Sequence, residues 1–201
     1  MQSWKGILKR MGVYDGIYNW DNVSEAFYRI IRKFIKKTDK IIELGSSTGH
    51  ISYRLAKEGY NVTLLDIRKE AIKTAKQNFK KKNIKAYFIC GDIFDITDKY
   101  DIAWSSGLIQ CFDDPDKAKL IKKIAGITNR LILFYPDVEN PNKIKGLNKK
   151  MIPGVGDAKE YDIKKIPEII YEYFDEIYYG IAGLNEVGLD YSMYWIYARK
   201  E

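Results

Sequence analysis

Five short apolar runs, separated by segments with helical periodicity, constrain this chain more than any other feature. They are KIIEL at 40–44, NVTLLD at 61–66, KAYFIC at 85–90, YDIAWS at 100–105 and RLILFY at 130–135. Runs this short and this continuous predict strands buried on both faces, since a strand with one wet face alternates instead. Between them the period changes. Residues 51–58 end at Gly59, a helix stop, and Ile72, Ala75 and Phe79 within 69–82 share one helical face. Asp114-Pro115 supplies a cap and a first-turn proline for a helix over 115–126. Strand–helix alternation of this kind implies right-handed crossovers and a mainly parallel sheet, an α/β class. With 201 residues and 46% hydrophobic content, the chain suits a single domain with a full core.

The flanks read differently. Val23, Ala26, Phe27, Ile30, Ile31, Phe34 and Ile35 recur at helical spacing, predicting an amphipathic helix over 23–37 within an N-terminal segment, 1–38. Asn22 and Glu25 approximate a capping box. Arg29, Arg32, Lys33, Lys36 and Lys37 form its other face, which suits either a helix laid over the sheet or one facing a membrane or RNA. After the fifth strand comes a long connection, 136–161, holding three Pro and three Gly, a length typical of a lid or substrate loop. A helix opening near Pro167 and two aromatic-rich strands near 174–180 and 192–199 close the chain, the strands reading as an antiparallel pair.

Composition narrows the chemistry. Cys90 and Cys111 are too few for a disulfide framework, and with a single histidine, His50, a zinc cluster is not expected. No run approaches the ~18 apolar residues of a membrane span, and the opening MQSWKGILKRMG lacks a signal-peptide core. The expectation is a cytoplasmic domain with reduced thiols and no membrane partner. Net charge is +7, which would suit an anionic partner such as RNA, although residues 160–201 are acidic.

The sharpest local signal is Ile41-Ile42-Glu43-Leu44-Gly45-Ser46-Ser47-Thr48-Gly49-His50, a strand running through a small-residue turn into a helix. Small residues let backbone approach a ligand, and the helix start offers free N–H groups. Asp66 ends the second strand, where a carboxylate can accept from both hydroxyls of a ribose. Gly91-Asp92-Ile93 follows the third strand. All three elements fall at C-terminal strand ends, where open parallel sheets bind ligands.

These residues resemble the class I S-adenosylmethionine-dependent methyltransferases, closely over about 40–135 and loosely elsewhere. Glu43 through Gly49 resembles the first family motif, Asp66 with Ile67 the ribose-binding acid, and Asp92-Ile93 the adenine-holding pair. Ser105-Ser106-Gly107-Leu108-Ile109-Gln110-Cys111-Phe112-Asp113-Asp114-Pro115 resembles the fourth-strand loop of small-molecule members, commonly Ser-Asn-Gly-Val-Ile-Glu-His-Phe. The resemblance implies a Rossmann-like domain with a seven-stranded, mostly parallel sheet and an antiparallel last strand. It implies S-adenosylmethionine as cofactor, held by Glu43, Gly45, Ser46, Ser47, Gly49, Asp66, Ile67, Asp92, Ile93 and Ser105. An N-terminal segment closing over the cofactor would add Tyr14 and Trp20, where cation–π contact with a sulfonium is reasonable.

Two departures stand out. The family's middle glycine is Ser47, and its Glu-His pair is Gln110-Cys111. The acid–base role that the resemblance would give that pair is therefore in question, and the catalytic candidates are Gln110, Cys111 and His50, with packing as the competing reading of Cys111 and His50. The function expected is methyl transfer to a small molecule by in-line displacement. RNA methylation and a non-catalytic cofactor-binding protein are the alternatives; a nicotinamide dehydrogenase fits the motifs less well.

Overall fold

The computed structural model describes residues 20–112, 114–136, 165–183 and 192–201. Their elements run α1 (Trp20–Arg32), β1 (Lys40–Leu44), α2 (His50–Lys57), β2 (Asn61–Asp66), α3 (Lys69–Lys81), β3 (Tyr87–Cys90), β4 (Ile102–Ser106), α4 (Asp114–Ile127), β5 (Arg130–Pro136), α5 (Lys165–Tyr171), β6 (Glu176–Gly183) and β7 (Ser192–Arg199). The strands make one seven-stranded sheet in the order β3-β2-β1-β4-β5-β7-β6. β1 to β5 are parallel, and β7 runs antiparallel to both β5 and β6. The predicted Rossmann-like architecture is therefore the one observed.

The apolar runs are continuous because both faces are covered. Ile41, Val62, Leu64, Ile102, Trp104 and Phe134 pack beneath Phe27 and Ile31 of α1, Leu55 of α2 and Phe79 of α3. Ile42, Leu44, Leu65, Ala103, Leu131 and Leu133 pack on the opposite face with Leu120, Ile121 and Ile124 of α4 and Ile166 and Ile170 of α5. The exception is β3. Among the described residues it pairs only with β2, and its end residues Tyr87 and Cys90 are exposed, so the expectation of a doubly buried strand fails at this edge.

The N-terminal helix covers the sheet, with Phe27 stacked on Phe134 at 4.3 Å. It begins before Asn22 and ends at Arg32, so the Asn22–Glu25 pair lies inside the helix. Glu25 bonds Arg29 at 2.6 Å and also pairs with Arg54. Beyond Arg32 the chain tightens into i→i+3 turns, Lys33 N–H to Ile30 and Phe34 N–H to Ile31. The segment is then pinned from β5, where Arg130 donates to the Phe34 carbonyl at 3.0 Å and to buried Asp39 at 2.7 Å. That anchor, invisible to periodicity, accounts for a helix shorter than the 23–37 predicted.

The connection out of β1 goes to β2 on one side, while β4 lies on the other. This reversal of winding places a crevice over the C-terminal ends of β1, β2 and β4, where the sequence put its candidate residues.

Candidate functional site

Three backbone positions shape the turn after β1. Gly45 (φ 70°), Ser47 (φ 51°) and Gly49 (φ 76°) are all left-handed. The turn is closed by hydrogen bonds from Ser46 N–H to the Leu65 carbonyl and from Gly49 N–H to the Ser46 carbonyl, each 2.8 Å. Glycine suits position 49: a Cβ there would lie 2.1 Å from Cδ2 of buried Leu64, which would have to move. Serine at 47 carries the left-handed cost of about 1–2 kcal/mol, and its N–H is held by Asp66 Oδ2 at 2.8 Å.

Asp66 is 4% exposed and receives four donors. Ser47 N–H and the Arg68 N–H (2.9 Å) come from the backbone. The Arg68 guanidinium adds a fork, Nε to Oδ1 and Nη2 to Oδ2, both 2.9 Å. Arg68 was not singled out from the sequence. The signal available was the Asp66-Ile67-Arg68 spacing, in which a strand-end acid and a base two residues on share one turn.

Under the turn lies a buried polar group. Glu43 is buried on β1 opposite Trp104 in the β1–β4 register. Desolvation pushes its carboxyl up to about 8; neighbouring Ser52 opposes that, and the Asp66 charge adds to it. Among the described residues, Glu43 Oε2 and Trp104 Nε1 are buried without a hydrogen-bond partner, as are Ser46 Oγ and Thr48 Oγ1 in the turn itself. Buried polar atoms of this kind are few in a packed protein, and here they lie in and under the turn after β1.

The walls of the crevice follow. Asp92 caps the short 3-10 turn Ile93–Asp95 by accepting from Phe94 N–H at 3.0 Å, through one of its two carboxylate oxygens. Ile93 is buried in the core, while Ile67 and Phe94 are exposed apolar residues beside the two acids. After β4, Gly107 turns at φ 79° and bonds the Phe134 carbonyl at 3.2 Å. A second 3-10 turn, Ile109–Cys111, follows, and Phe112 meets Phe94 edge-on at 6.3 Å. Cys111 Sγ rests on the Gly107 carbonyl at 3.5 Å. Its thiol is pushed up chiefly by desolvation; the Arg68 charge pulls it down and Asp66 pushes it up.

The structure thus gathers Glu43, Gly45, Ser46, Ser47, Gly49, Asp66, Ile67 and Asp92 along the adjacent C-terminal ends of β1, β2 and β3. Ser105 lies beside this set, at the C-terminal end of β4. It is buried, and its hydroxyl donates to the Leu44 carbonyl at 2.9 Å, tying β4 to β1. Ile93 can offer only its backbone. His50 opens α2 and is exposed. Gln110 lies in the second 3-10 turn with its side chain outside the described residues, as is that of Trp20 at the start of α1; Tyr14 and 137–161 of the predicted loop lie outside altogether. Ser52 and Trp104 were missed because they sit beneath the motif, on the next helix and the neighbouring strand.

This donor set can hold a nucleoside bearing a charged tail. Asp66 and Asp92 would take hydroxyl and amino donors, Ile67 and Phe94 would lie against a ring, and the turn leading into the start of α2 would take an anionic group.

Comparison with known proteins agrees with that chemistry. A family model described as "Methyltransferase domain" matches residues 35–176. A carboxy-S-adenosyl-L-methionine synthase of Nautilia profundicola is 33% identical over 187 residues, covering 86% of this chain and 75% of that one. A release factor glutamine methyltransferase of Lactococcus lactis is 35% identical over 118 residues, 57% of this chain and 40% of that one. Among solved structures, magnesium protoporphyrin IX methyltransferase from Synechocystis, with S-adenosylmethionine bound, shares the fold at TM-score 0.69 and 16% identity. That match covers 100% of this chain and 86% of the other.

Proposed function

We propose, from the premise that this chain belongs to the class I S-adenosylmethionine-dependent methyltransferases, that its acceptor is a small molecule. The observation that carries the proposal is the likeness, spread over 86% of the chain, to a relative whose named product is itself a small molecule. The likeness to an enzyme named for a protein glutamine covers only 57%. The non-catalytic reading prompted by Ser47 and Gln110-Cys111 gives way to family membership.

When bound, the cofactor supplies an electrophilic methyl group for in-line displacement. The residues of this chain bind and orient. Asp66 holds the ribose hydroxyls and Asp92 the adenine amino group, with Ile67 and the Ile93 backbone beside the ring. The turn from Gly45 to Gly49, leading into the start of α2, receives the amino-acid tail. Glu43, with Ser52 and Trp104, supports the turn from below. Cys111, whose thiol stays protonated at neutral pH, removes no proton from the acceptor. Rate then comes from alignment, and the acceptor reacts through a lone pair it already carries.

A second reading, an RNA acceptor, has one observation behind it. Residues 68–85 hold eight basic groups and one acidic group. On α3, Lys69, Lys73, Lys76 and Lys80 form a stripe, and among the described residues none of them has an ion pair. A polyanion would be held there through counterion release.

Tritiated-methyl transfer to separated metabolite, protein and RNA fractions of a cell extract distinguishes the readings. Label confined to metabolites is expected. Label in RNA, with binding that weakens steeply in salt, would replace the first reading by the second.

A further inference from the structure

The ribose-binding role given to Asp66 rests on the proposal above, and the partners of that carboxylate add a complication to it. A carboxylate offers about four acceptor positions, and all four on Asp66 are taken: by Ser47 N–H, by Arg68 N–H and twice by the Arg68 guanidinium. The two backbone donors belong to the turn after β1 and to the residue preceding α3, so they cannot leave without unfolding either. The guanidinium can. Its side chain is 22% exposed, whereas Asp66 is sealed at 4%.

We infer that Arg68 is an internal competitor for the cofactor's ribose. Its guanidinium occupies the carboxylate that a vicinal diol must reach, in the same bidentate manner a diol would use. Binding therefore requires Arg68 to swing off Asp66. The guanidinium lies over the end of β2, with Nε on Asp66 Oδ1 and Nη2 on Asp66 Oδ2, both at 2.9 Å. Arg68 thus sets cofactor affinity without contributing to methyl transfer. If the open arrangement makes up about one molecule in ten, apparent affinity is tenfold weaker than that of the uncovered site. The same pair keeps a buried carboxylate satisfied while the crevice holds no ligand, which the fold needs, since an unpaired buried charge is costly.

The competition predicts a dependence on the diol itself. Calorimetric titration of the full chain and of Arg68→Gln would use 5′-methylthioadenosine and its 2′,3′-dideoxy counterpart. The variant should bind the diol-bearing probe about tenfold tighter and the dideoxy probe within about twofold of the wild type. Unchanged or weaker binding of the diol probe by the variant would overturn the inference, as would equal tightening of both probes. Nitrogen-15 resonances of the wild type give a second reading. The Arg68 Nε–H signal should be protected in the free protein and shift on saturation with the diol probe; a signal that stays in place would also overturn it. Failure of both proteins to bind either probe would remove the ribose assignment of Asp66, whereas normal binding unaffected by the substitution would remove only the role of Arg68.

Discussion

The turn after β1 and the loop after β4 face the same crevice, yet they are built on opposite principles. The first is fixed by the backbone: three consecutive alternate residues at positive φ, and a glycine whose Cβ would collide with Leu64 on the neighbouring strand. The second has, among the described residues, one left-handed residue, Gly107, and is held by softer contacts, the Cys111 thiol on a carbonyl and Phe112 edge-on to Phe94. A rigid turn can hold the invariant part of a reaction, the cofactor. A softer loop can change residues, and Gln110-Cys111 is such a change, without disturbing the fold beneath it.

The harshest way to break this contrast is to add one methyl group at each glycine. Gly49→Ala should destabilise the protein by about 4 kcal/mol, because overlap with Leu64 adds to left-handed strain. Gly107→Ala should cost about 1–2 kcal/mol from strain alone. Denaturant titration of both variants measures the difference, and equal losses would mean that the loop after β4 is as tightly built as the turn.

The support under the turn is pH-sensitive, and its sign follows from Glu43. Its folded carboxyl titrates near 8 against 4.5 when unfolded, so the folded state holds the proton more tightly. Stability is full below pH 4.5, falls as pH rises from 4.5 to 8, and levels off above that. At ~1.4 kcal/mol per pH unit, the fall between pH 5 and pH 8 is on the order of 3 kcal/mol. Glu43→Gln should flatten it, as read from urea midpoints at the two pH values. A wild-type protein equally stable at both would show that Glu43 is solvated or paired.

How much of this was legible beforehand depends on whether the cause was local. The strands announced themselves because both faces are buried, and the motif residues fell together because strand ends in a parallel sheet align. β3 misled because the same apolar letters serve an edge strand lacking a neighbour. The helix at 20–32 ended early because Arg130, nearly a hundred residues away, holds the Phe34 carbonyl. Ser105 read as a ligand residue but binds the Leu44 carbonyl, a contact set by strand register. Arg68 was overlooked although adjacent to the motif, since a base two residues from an acid is ordinary in sequence and informative only once both are folded onto one carboxylate.

Ser47 sharpens the comparison more gently. Serine holds a left-handed φ of 51° where glycine would do so freely. Ser47→Gly should stabilise the folded protein by about 1 kcal/mol, the relieved strain being partly offset by the greater freedom of the unfolded chain. The Tm should rise accordingly, and a fall would indicate that the Ser47 side chain makes a stabilising contact of its own.

The smallest effect is expected in the loop after β4. Cys111 occupies the place of a histidine in the resembling sequences, but its thiol is pushed up by desolvation, and the nearby Arg68 charge does not outweigh that push. A protonated thiol near neutral pH is a poor base, and its contact with the Gly107 carbonyl at 3.5 Å is one a hydroxyl can reproduce. Cys111→Ser should therefore leave cofactor affinity and methyl-transfer rate within about threefold, with the pH profile unmoved. A rate loss of a hundredfold with unchanged affinity would make the thiol a participant in the chemistry. The two regions would then differ in softness but not in function, and acceptor activation would have to be sought at Cys111.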